Sequence, residues 1–125
     1  MPFVNVGAYS NFIDMDGFVP VQFVTSTNPS SYNDNIETEK GAIFIMEVYQ
    51  LNPSGIPYYK MQSVEVNTST GAPTVSAVGG NGTYTAHQNS TSGSAPVLIG
   101  FTNANYTLKT YMRVTPIIGK TRILG

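Results

Sequence analysis

Residues 42–66 read AIFIMEVYQLNPSGIPYYKMQSVEV. Within residues 42–51 the β-branched and aromatic content, Ile43, Phe44, Ile45, Val48 and Tyr49, favours a strand over a helix. The apolar positions fall on both faces, Ile43 and Ile45 on one, Phe44, Met46 and Val48 on the other. That pattern predicts a central strand covered on both sides. Asn52-Pro53-Ser54-Gly55 follows at once, with proline second and glycine fourth, the residue order of a type I turn. Residues 58–66 then return with Tyr59, Met61, Val64 and Val66 as apolar positions. The stretch reads as a β-hairpin, and the change of phase between Met61 and Val64 predicts a bulge near Gln62-Ser63.

The same texture continues outward in both directions. No stretch of a dozen residues holds an apolar period of 3.6, and helix caps ahead of apolar stripes are missing. Residues 19–25 read as a strand, with Pro20 marking a sheet edge or an entry point. Residues 27–35 form a loop by composition. Short strands are expected at 74–78 and 82–87, joined by Gly79-Gly80-Asn81-Gly82 as a hairpin turn in which Asn81 and Gly82 supply positive φ. A loop at 88–95 and a strand at 96–102 follow. Residues 106–116 alternate, with Tyr106, Leu108, Thr110, Met112 and Val114 on one face and Lys109, Tyr111, Arg113 and Thr115 on the other. The final Ile117-Ile118-Gly119-Lys120-Thr121-Arg122-Ile123-Leu124 is apolar and basic, where chain ends are ordinarily polar and frayed. It reads either as the last strand or as a docking arm. The expected fold is all-β: about eight short antiparallel strands in a single domain over 1–125, a β-sandwich or jelly-roll-like body. Extended termini at 1–12 and 116–125 are its candidate docking arms.

A chain of 125 residues suits one domain with its own core. Charged residues make up 10% of it, less than half of the roughly 25% found in ordinary soluble domains. Ser, Thr, Asn and Gly stand in their place, as in shells, fibres and adhesins whose surfaces meet neighbours. The chain has no cysteine, which excludes disulfides, thiolate metal sites and a cysteine nucleophile together. The net charge of −1 hides a segregation. Asp14, Asp16, Asp34, Glu37, Glu39, Glu47 and Glu65 all precede residue 66, whereas Lys109, Arg113, Lys120 and Arg122 close the chain. Such a molecule can dock its basic end on an acidic surface, a neighbour's acidic half included. Four bases do not make a nucleic-acid footprint, so no nucleic-acid partner is expected. The N-terminus lacks a basic region followed by an apolar run, and the longest apolar run, residues 42–46, is far short of a membrane span. Synthesis in the cytoplasm without a signal peptide, and no membrane partner, are therefore expected.

The search for chemistry yields little. His87 is the one histidine, with no acid near it in sequence and no G-x-S-x-G serine to serve. A zinc site would have to rest on carboxylates. Asp14-Met15-Asp16-Gly17 resembles the opening of a calcium loop, but the twelfth position is Thr25 rather than a glutamate, and turn capping explains the acids. Glu37 and Glu39 point the same way on a strand, yet nothing else supports a glycosidase pair. Gly79-Gly80-Asn81-Gly82 precedes a strand pattern rather than a helix, so it is no phosphate loop. The sequons at Asn67, Asn81, Asn89 and Asn105 follow from a composition rich in Asn, Ser and Thr. No catalytic residue, metal ligand or cofactor is expected, and the chain reads as non-enzymatic.

In overall character (a compact β domain, few charges, no cysteine, no leader, reaching ends) the chain resembles the small capsid decoration, or cement, proteins of tailed phages. The resemblance implies a structural role on the virion surface, clamping adjacent capsid subunits as a homo-oligomer, usually a trimer. It implies Phe3, Val4, Val6, Ile117, Ile118, Ile123 and Leu124 as docking residues, with Arg113, Lys120 and Arg122 as the basic part of the same end. Strand addition to a neighbour's open edge is the physical mechanism. The other reading is a carbohydrate- or receptor-binding module. Its polar loops would meet a glycan through Tyr32, Asn33, Tyr84 and His87, with the tyrosines stacking on sugar rings.

Overall fold

The computed structural model describes residues 17–25, 32–81, 84–90 and 96–125. The expected arm residues Phe3, Val4 and Val6, and the acids Asp14 and Asp16, lie outside the described residues. Among the described residues there is no helix. Nine strands form two antiparallel sheets, as in a β-sandwich. In chain order they are β1 (Val19–Val21), β2 (Ile36–Thr38), β3 (Ile43–Gln50), β4 (Tyr58–Val66), β5 (Pro73–Gly80), β6 (Thr85–Ser90), β7 (Val97–Thr102), β8 (Thr110–Ile118) and β9 (Thr121–Ile123). One sheet runs β1-β8-β3-β4-β5 and the other β6-β7-β2-β9.

The hairpin of residues 42–66 lies at the heart of the larger sheet. β3 pairs with β4 from Ile43↔Glu65 to Gln50↔Tyr58 and with β8 on its other side. Its turn is closed by Asn52, whose Oδ1 accepts the Ser54 N–H. Phe44, Met46 and Val48, with Val64 and Met112 beside them, are fully buried with Ile36, Val97, Ile99 and Phe101 of the smaller sheet. Phe23 sits at the end of this layer, its ring centroid 5.6 Å from Tyr84 and 6.0 Å from Phe101. Each such side chain contributes about 1.5–3 kcal/mol by leaving water.

Several expectations are corrected in detail. The β3–β4 register is uninterrupted, and the bulge lies on the other side of β4, where the pairing with β5 shifts between Met61 and Gln62. The phase change in the sequence has a different origin: Gln62 is a polar residue on the core face, 3% exposed. The Gly79–Asn81 stretch is no hairpin turn, because β5 and β6 belong to different sheets. The positive φ there falls on Gly80, at 94°, and not on Asn81. A Cβ on Gly80 would lie 2.2 Å from the Tyr59 carbonyl oxygen, so only glycine fits. β6 continues to Ser90, into the expected loop. β8 begins at Thr110 rather than Tyr106: the Asn105 N–H bonds Asn103 Oδ1 and the Leu108 N–H bonds the Asn105 carbonyl, which turns the chain before the strand starts.

The C-terminal stretch is built as strand. β8 ends at Ile118 in the larger sheet, and after Gly119 β9 pairs with β2 in the smaller one. Glu39 Oε1 accepts the Lys120 N–H and Thr38 Oγ1 lies 2.8 Å from Thr121 Oγ1, so the crossing is fastened by side chains. A wholly buried asparagine fastens the far end. Asn35 Nδ2 donates to the Gln22 and Gly125 carbonyls at 3.0 and 2.9 Å, and its Oδ1 accepts the Phe101 N–H at 2.8 Å. The chain after β1, the last residue and β7 thus meet on one side chain. Asn35→Ala strands the buried Phe101 N–H and is expected to lower stability by about 2–3 kcal/mol in urea unfolding. Asn33→Ala, whose amide makes one exposed bond to the Gln22 carbonyl, should change it by less than about 1 kcal/mol. Equal effects would contradict this account of the node.

Candidate interaction surfaces

Alternation along β3 sends Phe44, Met46, Val48 and Gln50 inward and Ile43, Ile45, Glu47 and Tyr49 outward. The registers with β4 and β8 extend those outward residues into rows across the sheet. Tyr111, Tyr49 and Tyr59 stand abreast; then Arg113, Glu47 and Met61; then Thr115, Ile45 and Ser63; then Ile118, Ile43 and Glu65. Ordinary antiparallel sheets set charges on the face turned away from the core. This one carries tyrosine, isoleucine and methionine there, and among the described residues of those rows Glu65 is the only charge outside one ion pair.

That ion pair is closed upon itself. Arg113 Nε and Nη2 donate to Glu47 Oε1 and Oε2, both at 2.8 Å, in a bidentate fork. The Tyr59 hydroxyl donates to Glu47 Oε2 at 2.6 Å, and the Arg113 guanidinium lies 4.5 Å from the Phe18 ring centroid. Hydrogen bonds from Arg113 hold the Glu47 carboxyl below the usual 4.5, against an opposing push from burial. Burial, reinforced by Glu47, raises the Tyr59 hydroxyl to about 12. Arg122 pairs with Glu37 at 2.7 Å. Two bases of the C-terminal end therefore meet acids of the first half of the same molecule, which accounts for part of the segregation along the sequence.

The residues singled out from sequence are scattered by this fold. Ile117, Ile118 and Leu124 are exposed, whereas Ile123 is half-buried against the core. Lys120 is exposed and lends its backbone N–H to Glu39. Arg113 is held in the rung just described. Tyr49, Tyr59, Tyr111, Ile45 and Met61 form a surface that sequence alone does not assemble. Its signal is the apolar character of both faces of residues 42–51, which predicts cover on both sides without naming what supplies it.

Of the glycan-contact candidates, Tyr84 is corrected outright. Its ring is 5% exposed and its hydroxyl donates to Gln50 Oε1, so it is a core residue; burial raises its pKa. Tyr32 and His87 do come together, stacked with centroids 4.2 Å apart, beside Asn33. The contact rests on Gly100. A Cβ there would lie 2.3 Å from the Asn33 carbonyl and 3.0 Å from Tyr32 Cβ, so glycine lets residues 32–34 cross the smaller sheet. Asn89 Nδ2 holds the crossing by donating to the Asn33 carbonyl and Asp34 Oδ1.

Among the described residues no group of three His, Cys, Asp or Glu side chains is placed to hold a metal ion, and no helix is long and apolar enough to cross a membrane. Comparison with known protein families, with curated proteins and with solved structures finds no match.

Because the native Glu47 pKa is lowered, its ionised form adds stability that is complete above about pH 4.5 and is lost as the pH falls through the lower native value. Glu47→Gln should cost about 1–3 kcal/mol at pH 7 and flatten the acid limb of stability between pH 2 and 5; an unchanged limb would contradict the pairing. Tyr59, raised, acts at the other end, its contribution fading between pH 10 and about 12. Gly100→Ala should break the Tyr32–His87 stack, seen as loss of ring-current shift on the His87 protons, and destabilise by about 1–3 kcal/mol.

Proposed function

We propose that this chain is a non-enzymatic structural subunit of a virus particle, of the capsid-decoration type, that clamps neighbouring subunits. The observation that carries the reading is the outward face of the five-stranded sheet. Strands about 4.8 Å apart and rows about 6.8 Å apart give that face roughly 600 Å², the larger part of the roughly 800 Å² that each partner contributes to a specific interface. Its composition, tyrosine, isoleucine and methionine with few free charges, is that of an interface core. The internal Glu47–Arg113 pair adds polarity without leaving a charge to be desolvated alone. Exposed Ile117, Ile118 and Leu124 extend the apolar character to the C-terminal end. The capsid context, the particle-surface location and a homo-oligomer, a trimer by preference, come from the resemblance in overall character.

A carbohydrate-binding role has the Tyr32–His87 stack in its favour, but the Asn33 and Asn89 amides beside it are already engaged within the chain. The sheet face is therefore preferred. The test is mass spectrometry of purified particles from the producing system, with wild-type protein and with Ile45→Lys/Met61→Lys. The wild type should be present at near-stoichiometric copy number, and the double variant, folded by circular dichroism, should be depleted at least about tenfold. A chain missing from particles, or a double variant incorporated equally well, would overturn the proposal. A glycan array that binds wild type and loses binding with His87→Ala would establish the second reading instead.

A further inference from the structure

We propose that the open side of the sandwich, between β5 and β6, accepts an extended strand from another polypeptide and selects one that presents a carboxylate to Lys60. This goes beyond the docking face, which is a different surface, and holds whatever that face binds.

The two sheets end in four edge strands, and three are ill suited to pairing with another chain. β1 and β9 are three residues long, the first containing Pro20 and the second Arg122. β6 is broken by a register shift between Gln88 and Ser90. β5 differs: its eight residues, PTVSAVGG, carry no charge, and its proline is at the first position where it does no harm. The ladder phase shows what β5 offers. The Asn67 N–H bonds the Ala72 carbonyl at 3.0 Å, so hydrogen-bonded pairs recur at Glu65–Thr74 and Ser63–Ser76. Val75, between them, turns its backbone N–H and C=O away from β4, and no described strand pairs on that side.

Behind this edge the sheets part to leave a cleft of about 370 Å³ lined by Lys60, Gln62, Val75, Ala77, Tyr84 and Ala86, among others. Its lining mixes small apolar side chains with polar groups, and among the described residues two of those polar groups lack partners. Gln62, 3% exposed, has a buried Nε2 with no hydrogen-bond acceptor. Lys60 points to the same side of β4 as Gln62 and makes no salt bridge with any described acid. A buried amide donor and an ammonium that meets no described acid, set beside Val75, Ala77 and Ala86, want an acceptor carrying negative charge, flanked by small aliphatic groups. A strand laid along β5 delivers that: alternate side chains enter the cleft while its backbone bonds Val75.

The probe is the end-blocked heptapeptide Thr-Val-Ser-Glu-Thr-Val-Ser, titrated to millimolar concentration against the ¹⁵N-labelled chain, with its Glu→Lys counterpart as control. Shifts of the Val75 amide and its β5 neighbours are expected, with at least about tenfold weaker binding of the lysine peptide. Val75→Pro removes the outward donor without touching the β4 ladder and should abolish binding. Lys60→Met should retain binding and erase the preference for glutamate. No shift at β5, shifts confined to another edge, equal binding of the two peptides, or a folded Val75→Pro that binds normally would each overturn the proposal.

Discussion

Phe44, Met46 and Val48 close on Ile36, Ile99 and Phe101 between the sheets, and this single apolar layer is the constraint on which the rest depends. A chain of this length can fill one such layer and no second one. Once the inward face of β3 is committed to it, neither described sheet is left to layer over the outward face. Its residues are nonetheless those of an interior. The proposed docking role is a consequence of that mismatch between where the core is and where the apolar side chains are.

Polar side chains hold the layer at its two ends. At one, Asn35 joins the chain after β1, the C-terminal residue and β7. At the other, the buried Gln50 accepts from the Tyr84 hydroxyl and donates to Thr110 Oγ1 and the Asn105 carbonyl. Each set of bonds is satisfied within the protein, which is the condition for burying such groups without a large penalty. Gln62 departs from the rule, and it departs at the open side of the sandwich. β9 then closes the smaller sheet with residues whose apolar character had suggested an arm.

The hairpin of residues 42–66 was legible because a strong turn separates two runs of β-forming residues, and the edge position of Pro20 because proline cannot donate. What failed were readings that treated alternation as sufficient. Tyr106 and Leu108 keep the phase of β8 but belong to a turn set by Asn103 and Asn105, whose side-chain bonding leaves no mark in hydropathy. Tyr84 sits in a polar stretch and looked like a surface ring, yet Gln50, thirty-four residues earlier, takes its hydroxyl into the core. Gly100 carried no signal either, since its need for glycine comes from a segment crossing above it. The candidate surface was half visible: both faces of β3 were recognised as apolar, but registers with β4 and β8 were needed to assemble the tyrosine row.

The account stands or falls on whether the outward face of the five-stranded sheet is covered in the working assembly. Hydroxyl-radical footprinting compares the isolated chain with the same chain in the particle proposed for it, read at Met61, Tyr49 and Tyr111, with exposed Tyr106 as internal control. The account predicts strong protection of the first three in the particle and unchanged labelling of Tyr106. Equal labelling of Met61, Tyr49 and Tyr111 in both states would contradict it.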